Sequence, residues 1–324
     1  MNISRTPFRI SFAGGGSDLP SYYKKYGGAV LSTSINKYIY IAIHPFFEKN
    51  KIQLKYSNTE LVSDFDDIKH PIFKEILLMN ELKGIDINSI ADIPSGTGLG
   101  SSSSFTVGVL NAINAYKNRS SSCEDLARIA SYIEINKLGS PIGKQDQYAA
   151  AYGGLNFITF NSDDTVKVDK IIMDPIKKNE LDSNLILIYT GNVRSANSIL
   201  KDQNLEIKKE KKIKIQKKMV DIAFNLKIML ENNKIDDFGS ILHEGWLLKK
   251  SLTNKISNEH VDQIYNEGIN AGALGGKLLG AGGQGFILFY CPNKNKNNFR
   301  IKMKKYNELN FKFDNNGSKI IYNE

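Results

Sequence analysis

Cysteine is scarce in this sequence: Cys123 and Cys291 are the whole complement of 324 residues, and their spacing suits no metal site. That leaves no disulfide framework to read and makes a reducing cytoplasm the expected compartment. Four scattered histidines offer no zinc pattern either. The opening MNISRTPFRISFAGGG has no apolar run of signal-peptide type, and no later stretch approaches the length of a membrane span. No membrane partner is expected. Three familiar phosphate or nucleotide patterns are also lacking in substance. Lys277 follows glycines, but Leu278 stands where a Walker loop needs Ser or Thr. GAGGQG at 280–285 satisfies GxGxxG in letters, yet its glycines precede a strand pattern instead of following one and opening a helix. DFG at 237–239 has neither an HRD loop nor a strand lysine to accompany it.

What is present is a globular composition, 41% hydrophobic and 24% charged, with a net charge of +9 from 43 Lys+Arg against 34 Asp+Glu. Much of the excess lies in KDQNLEIKKEKKIKIQKK (201–218), which reads as a helix with a solvated basic face. No aromatic and basic interleaving of the kind that stacks bases goes with it, so no nucleic-acid partner is expected; anionic small substrates suit the same field.

RTPFRISFA and KYIYIAIH alternate as strands, and SDLPSYYKKYGG reads as a short helix opening at Pro20 and closing at Gly27. A helix over 70–84 ends at Gly84 and is followed by the strand INSIADI. Helices follow the loop at 94–105, then around CEDLARIASYIEINKLG and KQDQYAAAYGG; LNFITF and VKVDKIIM form a hairpin. A composition shift over DPIKKNELDS divides the chain into 1–175 and 176–324. The second part holds the strand NLILIYTG, mainly helical segments to about 272, a glycine-rich turn, the strand GFILFY, one more helix and one or two strands. Strands and helices in mixed order point to an α+β fold.

The stretch PSGTGLGSSSSF (94–105) places three glycines and four consecutive serines between a strand and an apolar helical run. In that context a linker is the weaker reading. Glycine lets backbone approach phosphate oxygens, a helix N-terminus offers free N–H groups and positive potential, and serine hydroxyls can bond phosphate or Mg²⁺. One serine would suffice as a helix cap; four ask for more.

PSGTGLGSSSSF resembles the central PxxxGLGSSxx motif of the GHMP kinases, the superfamily of galactokinase, homoserine kinase and mevalonate kinase. RTPFRISFAGGGSDLP resembles its N-terminal substrate motif and GGKLLGAGGQGFILF its C-terminal glycine loop. Within the superfamily, FAGGGSDLPSYY, IGKQDQYAAAYGG and KLLGAGGQGF look most like the D-glycero-D-manno-heptose 7-phosphate kinases. The resemblance implies a two-domain GHMP kinase fold, with an N-terminal domain like ribosomal protein S5 domain 2 and a ferredoxin-like C-terminal one. It also implies ATP-dependent phosphorylation of the anomeric O1 of a heptose 7-phosphate, on the route to GDP-heptose for surface polysaccharide.

Transferred residue by residue, it places ATP against Pro94, Gly96, Gly98, Leu99, Gly100, Ser101, Ser102, Ser103 and Ser104, and Mg²⁺ on Ser102 and Glu134. Asp146 becomes the group that takes the proton of the attacking hydroxyl, or only aligns it. Arg9 pairs with Asp146 and stabilises charge on the phosphoryl group. Gly15, Gly16, Ser17 and Asp18 bind the sugar, with Asp18 also free to cap the helix at Pro20, and Gly280, Ala281, Gly282 and Gly283 close over it. For a distal phosphate the candidates are Lys144, Arg194 and Lys249 or Lys250. Gln284 departs from the usual run of glycines and is tolerable if its φ is negative. Two further readings stay open: a GHMP kinase for fucose or a hexose derivative, and a catalytically silent sensor of the same fold. A homodimer also stays open.

Overall fold

A computed structural model describes residues 1–191, 199–202 and 209–324. Strand β1 (Asn2–Ala13) pairs antiparallel with the long β2 (Gly28–Pro45). Between them lies α1 (Pro20–Tyr26), opened by proline and closed by Gly27, as the sequence suggests. The turn into α1 needs glycine: Gly14 has φ 83°, and a Cβ there would sit 1.9 Å from the Ala29 carbonyl oxygen.

β2 is twice as long as the alternating KYIYIAIH predicts. Its residues 28–35 are buried without interruption, whereas residues 36–45 alternate. A strand covered on both faces carries no period-2 signal, so its first half is silent in the sequence. The two halves have different partners. The first pairs with β6 (Leu155–Phe160), which also pairs with β7 (Val166–Lys170); the second pairs with β5 (Ile85–Ala91). The short strands β3 (Ile52–Lys55) and β4 (Thr59–Val62), not foreseen, extend the sheet beyond β5, with β3 parallel to β5.

Helix α2 (Pro71–Asn80) stops before Gly84, because Glu81 turns left-handed at φ 48° and its N–H closes on the Leu77 and Leu78 carbonyls. Helix α3 (Ser101–Tyr116) lies against β1 and β2. Helix α4 (Cys123–Ser131), capped by Ser122, widens into a π-helical turn over Tyr132–Lys137, and α5 (Gln145–Tyr152) packs on both α3 and α4.

After α6 (Pro175–Asn184) a second, antiparallel sheet begins at β8 (Leu185–Tyr189). β9 (Gly275–Leu278) and β10 (Phe286–Tyr290) continue it, so a strand stands where the sequence suggested only a glycine-rich turn. β11 (Glu308–Leu309) pairs on the other side of β8. Helices α7 (Glu210–Glu231), α8 (Phe238–Lys250), α9 (Glu259–Asn270) and α10 (Lys296–Met303) accompany this half. On α7, Lys211, Lys214, Lys217 and Lys218 are exposed, the solvated face expected of the lysine run.

The tail then returns to the first sheet. β12 (Phe313–Asp314) pairs with β2 and β13 (Lys319–Asn323) with β1. A continuous apolar core joins both halves, from Phe8 and Phe157 to Phe238 and Leu288, with each large buried side chain contributing about 1.5–3 kcal/mol. The α+β expectation holds. No described helix is long and apolar enough to cross a membrane.

Candidate active site

The N-terminus of α3, the first turn of α5 and the β9–β10 loop surround a cleft of about 280 Å³. Its floor is the 94–100 loop, where Gly96, Gly98 and Gly100 have φ of 76°, 85° and 78°. Left-handed glycines at alternate positions are the kind of backbone that turns successive N–H groups into one concavity. The loop also abuts backbone: a Cβ on Gly98 would lie 2.7 Å from the Leu279 carbonyl oxygen, and one on Gly285 would lie 2.4 Å from that of Thr97. The two glycine segments of the sequence therefore meet main chain to main chain.

Gly100 is the N-cap of α3 and no side chain caps the helix. Its leading N–H groups and positive dipole end thus remain for a ligand. The four serines divide their work. Ser101, Ser102 and Ser103 line the cleft. Ser104 does not: it is buried, and its hydroxyl donates to the Pro7 carbonyl at 2.9 Å, tying α3 to β1.

Ser102 Oγ donates to Glu134 Oε1 at 2.7 Å, and Gln147 Nε2 donates to Oε2 at 2.7 Å. Glu134 sits on the π-helical turn, 2% exposed, so it is no ordinary solvated helix carboxylate. Burial pushes its carboxyl above the usual range, against the bonds from Ser102, Gln147 and Ser103. Among the described residues no three His, Cys, Asp or Glu cluster as metal ligands. One hydroxyl beside one carboxylate nonetheless fits Mg²⁺, a hard ion that keeps several waters and takes its other oxygens from phosphate.

Arg9, on β1 and 4% exposed, makes three side-chain hydrogen bonds at once. Its Nε donates to Asp146 Oδ1 at 2.7 Å, its Nη2 to Oδ2 at 2.6 Å, and its Nη1 to the Gly98 carbonyl at 2.7 Å. The Arg9 N–H also reaches the Leu99 carbonyl at 3.1 Å. A bidentate fork of this kind fixes orientation as well as charge. Asp146 is thereby locked beside the glycine loop at the start of α5, and still opens on the cleft.

Asp18 also lines the cleft, near enough to Asp146 to feel its charge. It does not cap α1, whose N-cap is Leu19 with no side-chain bond. Instead it accepts from Gly16 N at 3.0 Å, Gln145 N at 3.2 Å and Gln145 Nε2 at 3.1 Å, packed so closely on Gly143 that a Cβ there would touch Oδ2 at 1.9 Å. Burial, with Asp146 nearby, pushes its carboxyl up to about 6. The same lining holds Lys249, whose ammonium burial lowers to about 8, and Lys277, lowered well below the ordinary value by the same cause.

Several expected residues stand apart. Lys144 pairs with Asp164 at 2.7 Å and lies over the Tyr23 ring, away from the cleft. Ser17 exchanges hydrogen bonds with the Ala29 backbone and is fully buried, a role in the turn. Pro94 is exposed, Leu99 packs into the core, and Gly283 is buried with its N–H on the Ile256 carbonyl. Gly15, Gly16, Gly280, Ala281 and Gly282 do line the cleft. Lys250 turns to Asp262 at 3.1 Å, which separates it from Lys249. Arg194 lies outside the described residues. Gln284 has no positive φ, between Gly283 at 84° and Gly285 at 124°, as its side chain requires. The residues missed are Lys277, Ser11 and Gln145. Lys277 stands inside the quoted glycine motif, and was weighed only against a Walker pattern.

Family models for the GHMP kinases N terminal domain and the GHMP kinases C terminal match residues 69–154 and 227–307. The chain is 30% identical over 315 residues to a D-glycero-alpha-D-manno-heptose 7-phosphate kinase of Campylobacter jejuni, covering 93% of each. It is 28% identical to a bifunctional fucokinase/GDP-fucose pyrophosphorylase of Arabidopsis thaliana, of which it spans only 31%. Among solved structures, a D-glycero-D-manno-heptose 1-phosphate kinase from Bacteroides thetaiotaomicron superposes with a TM-score of 0.83 at 27% identity, covering 99% of each chain.

Proposed function

This chain belongs to the GHMP kinases, and from that premise we propose that it transfers the γ-phosphoryl group of ATP to the anomeric O1 of D-glycero-D-manno-heptose 7-phosphate. The observation that carries the reading is the Arg9–Asp146 fork, held between the glycine loop and Asp18. In this reading the 96–103 backbone and the N-terminus of α3 take the phosphates of ATP. Ser102 and Glu134 would hold Mg²⁺, which would neutralise phosphate charge there. Asp18 accepts from ring hydroxyls of the sugar and sets O1 against Asp146. The P–O bond to ADP breaks as the bond to O1 forms, and the O1 proton passes to Asp146. Arg9 aligns that carboxylate and counters charge on the transferring group.

The product would be the 1,7-bisphosphate, feeding GDP-heptose synthesis in the cytoplasm. Residues 1–175 would carry the ATP loop and substrate motif, and 176–324 the closing glycine loop. A second reading, a kinase for an unphosphorylated sugar, is favoured by the likeness to the Arabidopsis fucokinase. A silent sensor has less support, since it would need neither the Arg9–Asp146 fork nor the Ser102–Glu134 pair. The test is ADP release with ATP and Mg²⁺ over a panel of heptose 7-phosphates, mannose, fucose, galactose, homoserine and mevalonate. Turnover confined to a heptose 7-phosphate is expected. Turnover of fucose alone would replace the substrate, and none at all despite ATP binding would replace the enzyme.

A further inference from the structure

Among the described residues the cleft lining holds three cations, Arg9, Lys249 and Lys277, and three carboxylates, Asp18, Glu134 and Asp146, but only Arg9 is paired with one of them. Lys249 and Lys277 are 6% and 7% exposed, and among the described residues neither ammonium reaches a carboxylate. Lys249 Nζ donates to the carbonyls of Gly280 at 2.5 Å and Leu278 at 3.4 Å, and Lys277 Nζ to that of Phe12 at 2.9 Å. The nearby acids are already engaged, Asp146 by Arg9 and Asp18 by three N–H groups. The two lysines and Arg9 also repel one another, which adds to the lowering of both lysines. Buried ammonium groups without a counter-charge are strongly unfavourable, and a fold that keeps two of them side by side is poised for an anion.

A second, independent feature lies on the same wall. Ser11, 6% exposed and next in sequence to Phe12, turns a buried hydroxyl without a hydrogen-bond partner into the cleft. Two ammonium groups and a hydroxyl suit a dianionic phosphate monoester, for which lysine serves as a point charge. The loop and the N-terminus of α3 already provide an anion cradle of their own, made of backbone N–H groups and serine hydroxyls. Lys249 feels Arg9 and, more weakly, Asp18, the residue assigned to the sugar ring.

We propose that Lys249, Lys277 and Ser11 form the subsite for the acceptor's own phosphate group, and so make this chain select phosphorylated sugars over free ones. The proposal rests on the sugar kinase reading above.

The test pairs kinetics with binding. Lys249→Met and Lys277→Met are expected to raise the KM for heptose 7-phosphate on the order of 10- to 100-fold, with the KM for ATP nearly unchanged and kcat falling far less than kcat/KM. Lysine-to-arginine variants at both positions recover part of the loss. Ser11→Ala, the mildest change, raises the acceptor KM by roughly 3- to 10-fold. Calorimetry without nucleotide, using the sugar phosphate and its dephosphorylated counterpart, should give a wild-type preference for the phosphorylated form that both methionine variants lose. Retained ATP affinity reports that a variant is folded. An unchanged acceptor KM, or a loss confined to kcat and the ATP KM, would overturn the subsite and leave the kinase reading standing. Wild-type turnover of free sugars only would overturn both.

Discussion

At one end of the cleft the binding groups come from a single contiguous stretch, residues 96–103, and are mainly backbone N–H groups and hydroxyls. At the other end they are ionisable side chains gathered from distant segments: Asp18 before α1, Lys249 at the end of α8 and Lys277 on β9. The first is fixed by glycine conformation and carries one carboxylate, Glu134, on Ser102. The second holds charges in a buried setting, with Asp18 raised to about 6 and Lys249 lowered to about 8. A backbone cradle tolerates little change of shape, and its N–H groups do not titrate. A side-chain pocket is expected to behave in the opposite way.

Asp146→Asn acts at the junction of the two ends and should have the largest effect. Loss of proton acceptance predicts a fall in kcat of about 10²- to 10⁴-fold, read by steady-state ADP release. A fall below tenfold would reduce Asp146 to alignment. Glu134→Gln comes next, sharpening the account of the cradle. Half-saturation by Mg²⁺ should rise by about 10- to 100-fold, while the melting temperature holds or rises, because a neutral amide relieves the burial that raises this carboxyl. A melting temperature that drops steeply would mark Glu134 as structural only.

Gly98→Ala tests the intolerance of the backbone end. With φ 85° and a Cβ 2.7 Å from the Leu279 carbonyl oxygen, strain of about 1–3 kcal/mol is expected, read as a lower melting temperature and a raised KM for ATP. Gly139, at φ 62° with nothing within 4 Å of its Cβ, is the control; alanine there should cost only about 1 kcal/mol. Equal effects at the two positions would remove close packing from the explanation.

The smallest effects concern pH and stability at the charged end. Between 3.8 and about 6 the folded chain holds a proton on Asp18 that the unfolded chain has lost. That contribution is full below 3.8 and disappears as pH rises through 6. Lys249 works in the other sense. Between about 8 and 10.5 the unfolded chain binds the extra proton, so stability gains as pH rises across that window. Melting curves against pH should show both slopes, with Asp18→Asn removing the first and Lys249→Met the second. Slopes that persist in these variants would assign them to other groups.

The contrast between the two ends also governs what the sequence made legible. The 94–105 loop declares itself because its glycines and serines are adjacent, and α1 because proline and glycine punctuate its ends. The first half of β2 was silent, since a strand buried on both faces shows no alternation. β9 was hidden in a glycine run that reads as a turn, although Gly276 has no room for a side chain beside the Leu288 carbonyl. Ser104 looked like its three neighbours, and only the helix rotation that points it at Pro7 sets it apart. Lys249 and Lys250 are adjacent and alike in sequence, and the packing of α8 against β9 decides which of them enters the cleft. Asp18 lines the cleft and does not cap α1, and nothing local signals that choice, because its partners at Gln145 are distant in sequence.

The most direct test of the central claim is the position of the transferred phosphoryl group. The product of wild-type turnover of heptose 7-phosphate with ATP should be isolated and its phosphorus–carbon couplings read by NMR. A second phosphoester on the anomeric carbon, with the original one intact at C7, is the predicted result. A phosphoester on any other carbon would contradict the placement of O1 against Asp146.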